Sequence, residues 1–116
     1  MKYLGEFEQL LLLAVLQRAN HAYGVEIRQT ILERAERDVS IGALYTTLGR
    51  LEAKGLVTGK MGESSAERGG RAKKFYSVTA AGQSALKSSM RIISKMSEGV
   101  SLMQPSLLNL SKGTQG

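Results

Sequence analysis

The stretch Ser40-Ile41-Gly42-Ala43-Leu44-Tyr45-Thr46-Thr47-Leu48-Gly49-Arg50-Leu51-Glu52-Ala53-Lys54-Gly55-Leu56-Val57 decides the fold. Ser40 is suited to cap a helix, because its hydroxyl can take up a backbone N–H that the first turn leaves without a partner. Ile41, Leu44, Tyr45, Leu48 and Leu51 follow at spacings of three and four, the stripe of an amphipathic helix with one face in a core. Gly55 stands where a left-handed residue closes a helix, and Lys54 before it suits the negative end of the helix dipole. The opposite face carries Gly42, Ala43, Thr46, Thr47 and Arg50, which are small or hydrogen-bonding and suit close approach to a nucleic acid.

Downstream, residues 56–61 (LVTGKM) and 74–79 (KFYSVT) alternate apolar or aromatic residues with polar ones, as half-buried strands do. Between them Gly69-Gly70 sits among Arg68, Arg71, Lys73 and Lys74. Glycine lets the backbone turn tightly or approach a phosphate, and the cations can neutralise phosphates without reading sequence. Helix, strand, basic turn, strand is the order of a winged helix-turn-helix. The expected class is therefore mainly α with a small β-hairpin. DNA contacts are expected from Ser40, Gly42, Tyr45, Thr46, Thr47 and Arg50 on the helix and from Gly70, Arg71, Lys73 and Lys74 on the wing.

Working outward, residues 5–18 predict a first helix that is apolar on most sides, and residues 23–37 a second. The second has Val25, Ile27, Ile31, Leu32 and Ala35 on its apolar face, and Ala19 to Ala22 form the break before it. Asp38-Val39 connects the second helix to the third. Thr79 can cap a fourth helix running to about Gly99, whose stripe of Leu86, Met90, Ile93 and Val100 is broadened by Ala85, Ile92 and Met96. A heptad-like seam of that length without an internal partner predicts a second copy of the chain. The dimer contacts expected are Leu86, Met90, Ile93, Met96 and Val100. Residues 1–78 thus read as a DNA-binding domain, 79–100 as a C-terminal dimerisation helix and 101–116 as a loose tail.

Composition agrees with one small domain: 116 residues, net charge +6 and no cysteine. A basic balance favours an anionic partner such as nucleic acid. Without cysteine there is no disulfide framework and no thiolate metal site, which suits the cytoplasm. The apolar run Leu10–Leu16 is too short to span a bilayer, and Glu6 and Glu8 precede it where a secretory signal would carry positive charge. His21 is the single histidine, stands in a turn, and has no nucleophile pattern around it. Glu26, Glu33, Glu36 and Asp38 alternate with arginines and read as ion-pairing partners rather than catalytic groups. Gly69-Gly70 lacks the lysine-serine pair and following helix of a phosphate-binding loop. The expectation is a binding protein, without enzymatic activity, cofactor or membrane segment.

The chain resembles the PadR family of transcriptional regulators over nearly its whole length up to about residue 98. The resemblance rests on LGEFEQLLLLAVL (4–16), HAYGVEI (21–27), SIGALYTTLGRLEAKGLV (40–57) and GGRAKKFYSVTAAG (69–82) taken together. It implies a homodimeric regulator, a repressor on an inverted-repeat operator in double-stranded DNA, with the long C-terminal helix joining the protomers. It also implies relief by a small-molecule effector, held between that helix and the partner's first helix. The competing expectation is a winged helix used for protein contacts, which would place large apolar residues on the exposed face of the third helix.

Overall fold

A computed structural model describes residues 3–62 and 72–102. The element order is α1 (Glu6–Gln17), β1 (Ala22–Tyr23), α2 (Gly24–Ala35), α3 (Ile41–Ala53), β2 (Val57–Met61), β3 (Lys74–Val78) and α4 (Ala80–Ser97). The three strands form one antiparallel sheet in the order β1-β3-β2, with Val57 opposite Val78 and Met61 opposite Lys74 across the hairpin.

Helix α1 is preceded by Gly5 at its N-cap, whose N–H donates to Glu8 Oε1 at 2.9 Å. It is the central element, burying Leu11, Leu12, Ala14 and Val15. Around it lie Ile27 and Ile31 of α2, Leu44, Leu48 and Leu51 of α3, Val57, Tyr76 and Val78 of the sheet, and Ala85 and Leu86 of α4. At ~1.5–3 kcal/mol for each large apolar side chain removed from water, this cluster is the main stabilising contribution.

The turn before β1 is shaped by Ala19 and Asn20, both with positive φ, at 58° and 57°. Asn20 then acts as a bracket on the sheet: Val78 N–H donates to its Oδ1 at 2.7 Å, and its Nδ2 donates to the Val78 carbonyl at 3.2 Å. The expected break over residues 19–22 therefore ends in a third strand, since Ala22 pairs with Tyr76 and Tyr23 with Phe75. Two residues of strand are too few to leave an alternating pattern in the sequence.

Ser40 caps α3 as expected, accepting from Ala43 N–H at 3.1 Å. At the other end Gly55 has φ +76°, and the N–H groups of Gly55 and Leu56 donate to the carbonyls of Glu52 and Leu51. That pair of bonds is a Schellman closure, and its left-handed residue favours glycine. Thr79 caps α4 by accepting from Gly82 N–H at 3.0 Å, and its own hydroxyl donates to the Gly55 carbonyl at 2.8 Å. One threonine thus ties the end of α3 to the start of α4.

Several expected burials are corrected. On α3 the buried set is Leu44, Thr47, Leu48 and Leu51, while Ile41 and Tyr45 are 43% and 44% exposed. The buried arc is centred between Leu44 and Leu51, so at 100° per residue Thr47 lies inside it and Ile41 and Tyr45 fall on its flank. On α2, Val25, Leu32 and Ala35 are exposed, and Gly24 and Thr30 join Ile27 and Ile31 inside. Leu86 is 5% exposed within a single protomer, so it belongs to the chain's own core and not to an open seam. The helix stops at Ser97, with Glu98 extended at ψ 134° and Gly99 at φ +77°, which leaves Val100 beyond its end. Residues 103–116, most of the expected tail, lie outside the described residues.

Candidate nucleic-acid interface

The outward face of α3 follows from its helical phase. With Leu44, Thr47, Leu48 and Leu51 directed inward, Gly42, Thr46 and Gly49 occupy the opposite side, flanked by Tyr45 and Ile41 on one edge and by Arg50 and Ala43 on the other. All seven are exposed. Three of the outermost positions bear no group larger than threonine, so this side of the helix can approach a surface closely. Thr47, expected among the contacts, is 3% exposed and lies inside the core.

Tyr45 is fixed from below. A Cβ on Gly24, the first residue of α2, would collide with the Tyr45 ring and hydroxyl, so only glycine leaves room for the tyrosine to lie across the start of α2. Its ring is held while much of its surface stays open to solvent. The first turn of α2 is itself bracketed by Glu26, whose Oε1 accepts from Tyr23 N–H at 3.2 Å. Between α2 and α3, Arg28 holds the connection: its Nε donates to the Val39 carbonyl at 2.7 Å and its Nη2 to Asp38 Oδ1 at 3.0 Å.

The wing strands stand beside this face. Lys73 and Lys74, adjacent in sequence, have different surroundings. Lys74 Nζ donates to Glu52 Oε1 of α3 at 3.1 Å, and this hydrogen bond holds the ammonium above the ordinary lysine value. Lys73 Nζ sits 4.0 Å from the centre of the Tyr23 ring. Tyr23 in turn meets Phe75 edge-on at 5.4 Å, and His21 stacks flat on the same Phe75 at 4.4 Å. The histidine thus packs on the second wing strand. This aromatic group bridges β1 and β3, and sequence inspection missed it because β1 was missed. Gly70 and Arg71, the remaining expected wing contacts, lie outside the described residues.

Away from this face, the described part of α4 beyond Ser89 is exposed throughout, with Met90 at 47%, Ile93 at 65% and Met96 at 76%. A groove of about 570 Å³ lies along the first half of α4, lined by Leu16, Gln83, Ser84, Leu86, Lys87 and Met90. Among the described residues no cluster of His, Asp and Glu has the arrangement of a metal site, and no helix is long and apolar enough to cross a membrane.

Four helices and a small three-stranded sheet, with the third helix exposed beside a hairpin, define a winged-helix DNA-binding fold. The model of the PadR-like family of transcriptional regulators matches residues 12–88, and the chain belongs to that family. Its members are regulators of transcription and not enzymes. Among solved structures, a PadR-like transcription factor from Bacteroides fragilis is 29% identical, with a TM-score of 0.68 over 79% of this chain and 84% of that one. A PadR family transcription regulator from hypervirulent Clostridium difficile is 28% identical, with a TM-score of 0.63 over 80% of this chain and 95% of that one. A winged-helix DNA-binding protein from STIV shares the fold at 17% identity, with a TM-score of 0.61 over 89% of this chain and all of that one. No curated protein matches the sequence.

Proposed function

We propose that this regulator acts as a homodimeric, cytoplasmic repressor on an inverted-repeat operator. In this reading α3 enters the major groove with Ser40, Gly42, Tyr45, Thr46 and Arg50, while Lys73, Lys74, Gly70 and Arg71 of the wing meet the flanking backbone. The observation that carries it is the α3 face itself: a strip of small residues with Arg50 on one edge and the cationic wing alongside. Arg50 suits a guanine edge or a phosphate, and a good bidentate base contact is worth ~1–3 kcal/mol of discrimination.

Residues 1–78 then form the DNA-binding unit and the helix from residue 79 the dimerisation arm, with Met90, Ile93 and Met96 as the seam. A two-fold dimer would hold half-sites about 10 bp apart or a multiple of that. The open groove beside Leu86 and Met90 is the place for a small apolar effector, closed over by the partner's first helix.

A protein-docking role would use exposed apolar residues on α3, and Ile41 and Tyr45 are exposed. Tyr45, however, is held against Gly24, and the surrounding face is small and polar. Gel-shift titration against the DNA upstream of the chain's own gene tests the reading. Binding that weakens in Arg50→Ala and Thr46→Ala, with both variants folded, is the expected result. Unchanged affinity in both would overturn the assignment of this face.

A further inference from the structure

The first turn of α3 raises a question that the rest of the face does not. In a helix-turn-helix, the N-terminal residues of the recognition helix are those that reach base edges. Here they are Ile41, Gly42 and Ala43, none with a polar side chain, and Ser40 already accepts from Ala43 N–H. A Cβ added at Gly42 would meet nothing within 4 Å, so the turn stands clear of the body of the protein. Ile41 nevertheless exposes 43% of its surface there, although its position in the α3 stripe would suit a core residue. Part of its apolar surface is thus left uncovered in the first turn, on the edge of the face that the proposed reading places in the groove.

Among the groups that base pairs display in the major groove, the C5 methyl of thymine is the apolar one. We infer that Ile41 reads the C5 methyl group of a thymine, a base-specific contact that no polar side chain of this turn supplies. The inference rests on the DNA-binding reading above and adds to it both a residue and a base. Gly42 beside it allows the approach, since a larger residue there would hold the helix away from the groove floor.

The test uses the full chain and a duplex selected for tight binding from a random pool. Each thymine is replaced in turn by uracil, which removes the methyl and keeps the pairing. Burying one methyl-sized group is worth about fourfold in affinity, or roughly fifteenfold when both half-sites of a dimer lose it. The expected result is a uracil penalty of that size at one thymine per half-site. The penalty should persist in Ile41→Val and fall below about twofold in Ile41→Ala, with circular dichroism showing both variants folded. A penalty absent from the wild-type protein, or undiminished in Ile41→Ala, would overturn the inference while leaving DNA binding intact. Failure to select any DNA at all would instead overturn the functional reading on which it rests.

Discussion

Between Ala80 and Ser89, α4 presents Gly82, Ala85, Leu86 and Ser89 to its own domain, and the buried Ser89 hydroxyl even accepts from Leu4 N–H at 2.9 Å. From Met90 to Ser97 every residue is exposed, including Met90, Ile92, Ile93 and Met96. The same amphipathic pattern runs through both halves. In the first half it is consumed by folding; in the second it is left over. An exposed apolar strip of this size is the kind of surface that marks an interaction site, and it is the one the proposed dimer would cover. The difference separates what the chain uses to fold from what it leaves free for the proposed partner copy.

The largest effect expected is in the core that the first half joins. Leu11→Ala, at a fully buried position of α1, should lower unfolding stability by ~2–5 kcal/mol at every protein concentration. Ile93→Asp should act differently: it should leave the domain folded but, in the proposed dimer, place an unpaired charge in the seam at a cost of several kcal/mol of association. Sedimentation should find wild-type dimers and Ile93→Asp monomers at micromolar concentration. An Ile93→Asp variant that stays dimeric would place the seam elsewhere.

A smaller contrast separates Lys73 from Lys74. Each lost phosphate contact lowers the slope of log affinity against log salt by about 0.9. Lys73→Ala should show that decrease for specific and random DNA alike. Lys74→Ala should show less, because Glu52 already holds its ammonium group. Equal decreases in the two variants would mean that the Glu52 pair opens on binding.

The smallest effect concerns acid stability. Burial pushes the Glu8 carboxyl up, but the Gly5 N–H, Lys54 at 3.3 Å and the charge of Arg50 outweigh it and hold Glu8 below its ordinary value of 4.5. A depressed carboxyl contributes stability that is present above that value and is lost as pH falls through the lower, folded one. Thermal unfolding followed from pH 6 downward should therefore show a weaker acid dependence in Glu8→Gln than in the wild type. Identical acid slopes would mean that the Glu8–Lys54 pair between α1 and the end of α3 contributes nothing.

Much of this was legible in the sequence, and the rest failed for identifiable reasons. Ser40, Thr79 and Gly55 announced the ends of α3 and the start of α4, because caps are chemical and local. The hairpin strands were legible from alternation, whereas β1 rests on two residues and on Asn20 reaching across the sheet to Val78. Phase was the harder problem on α3. A threonine and a tyrosine two positions apart look respectively polar and apolar, yet Thr47 is inside and Tyr45 outside, because the position of α2 and the space above Gly24 set the rotation of the helix. Leu86 and Ile93 fit one stripe equally well. Only the position of the core shows that the first is buried and the second is not.

Fluorescence anisotropy with the selected duplex, titrated at several salt concentrations, tests the central claim most directly. The account predicts saturation at two chains per duplex, with log affinity falling linearly against log salt and a steep dependence lost in Arg50→Ala and Ile93→Asp. Saturation at one chain per duplex, or an affinity indifferent to salt, would contradict it.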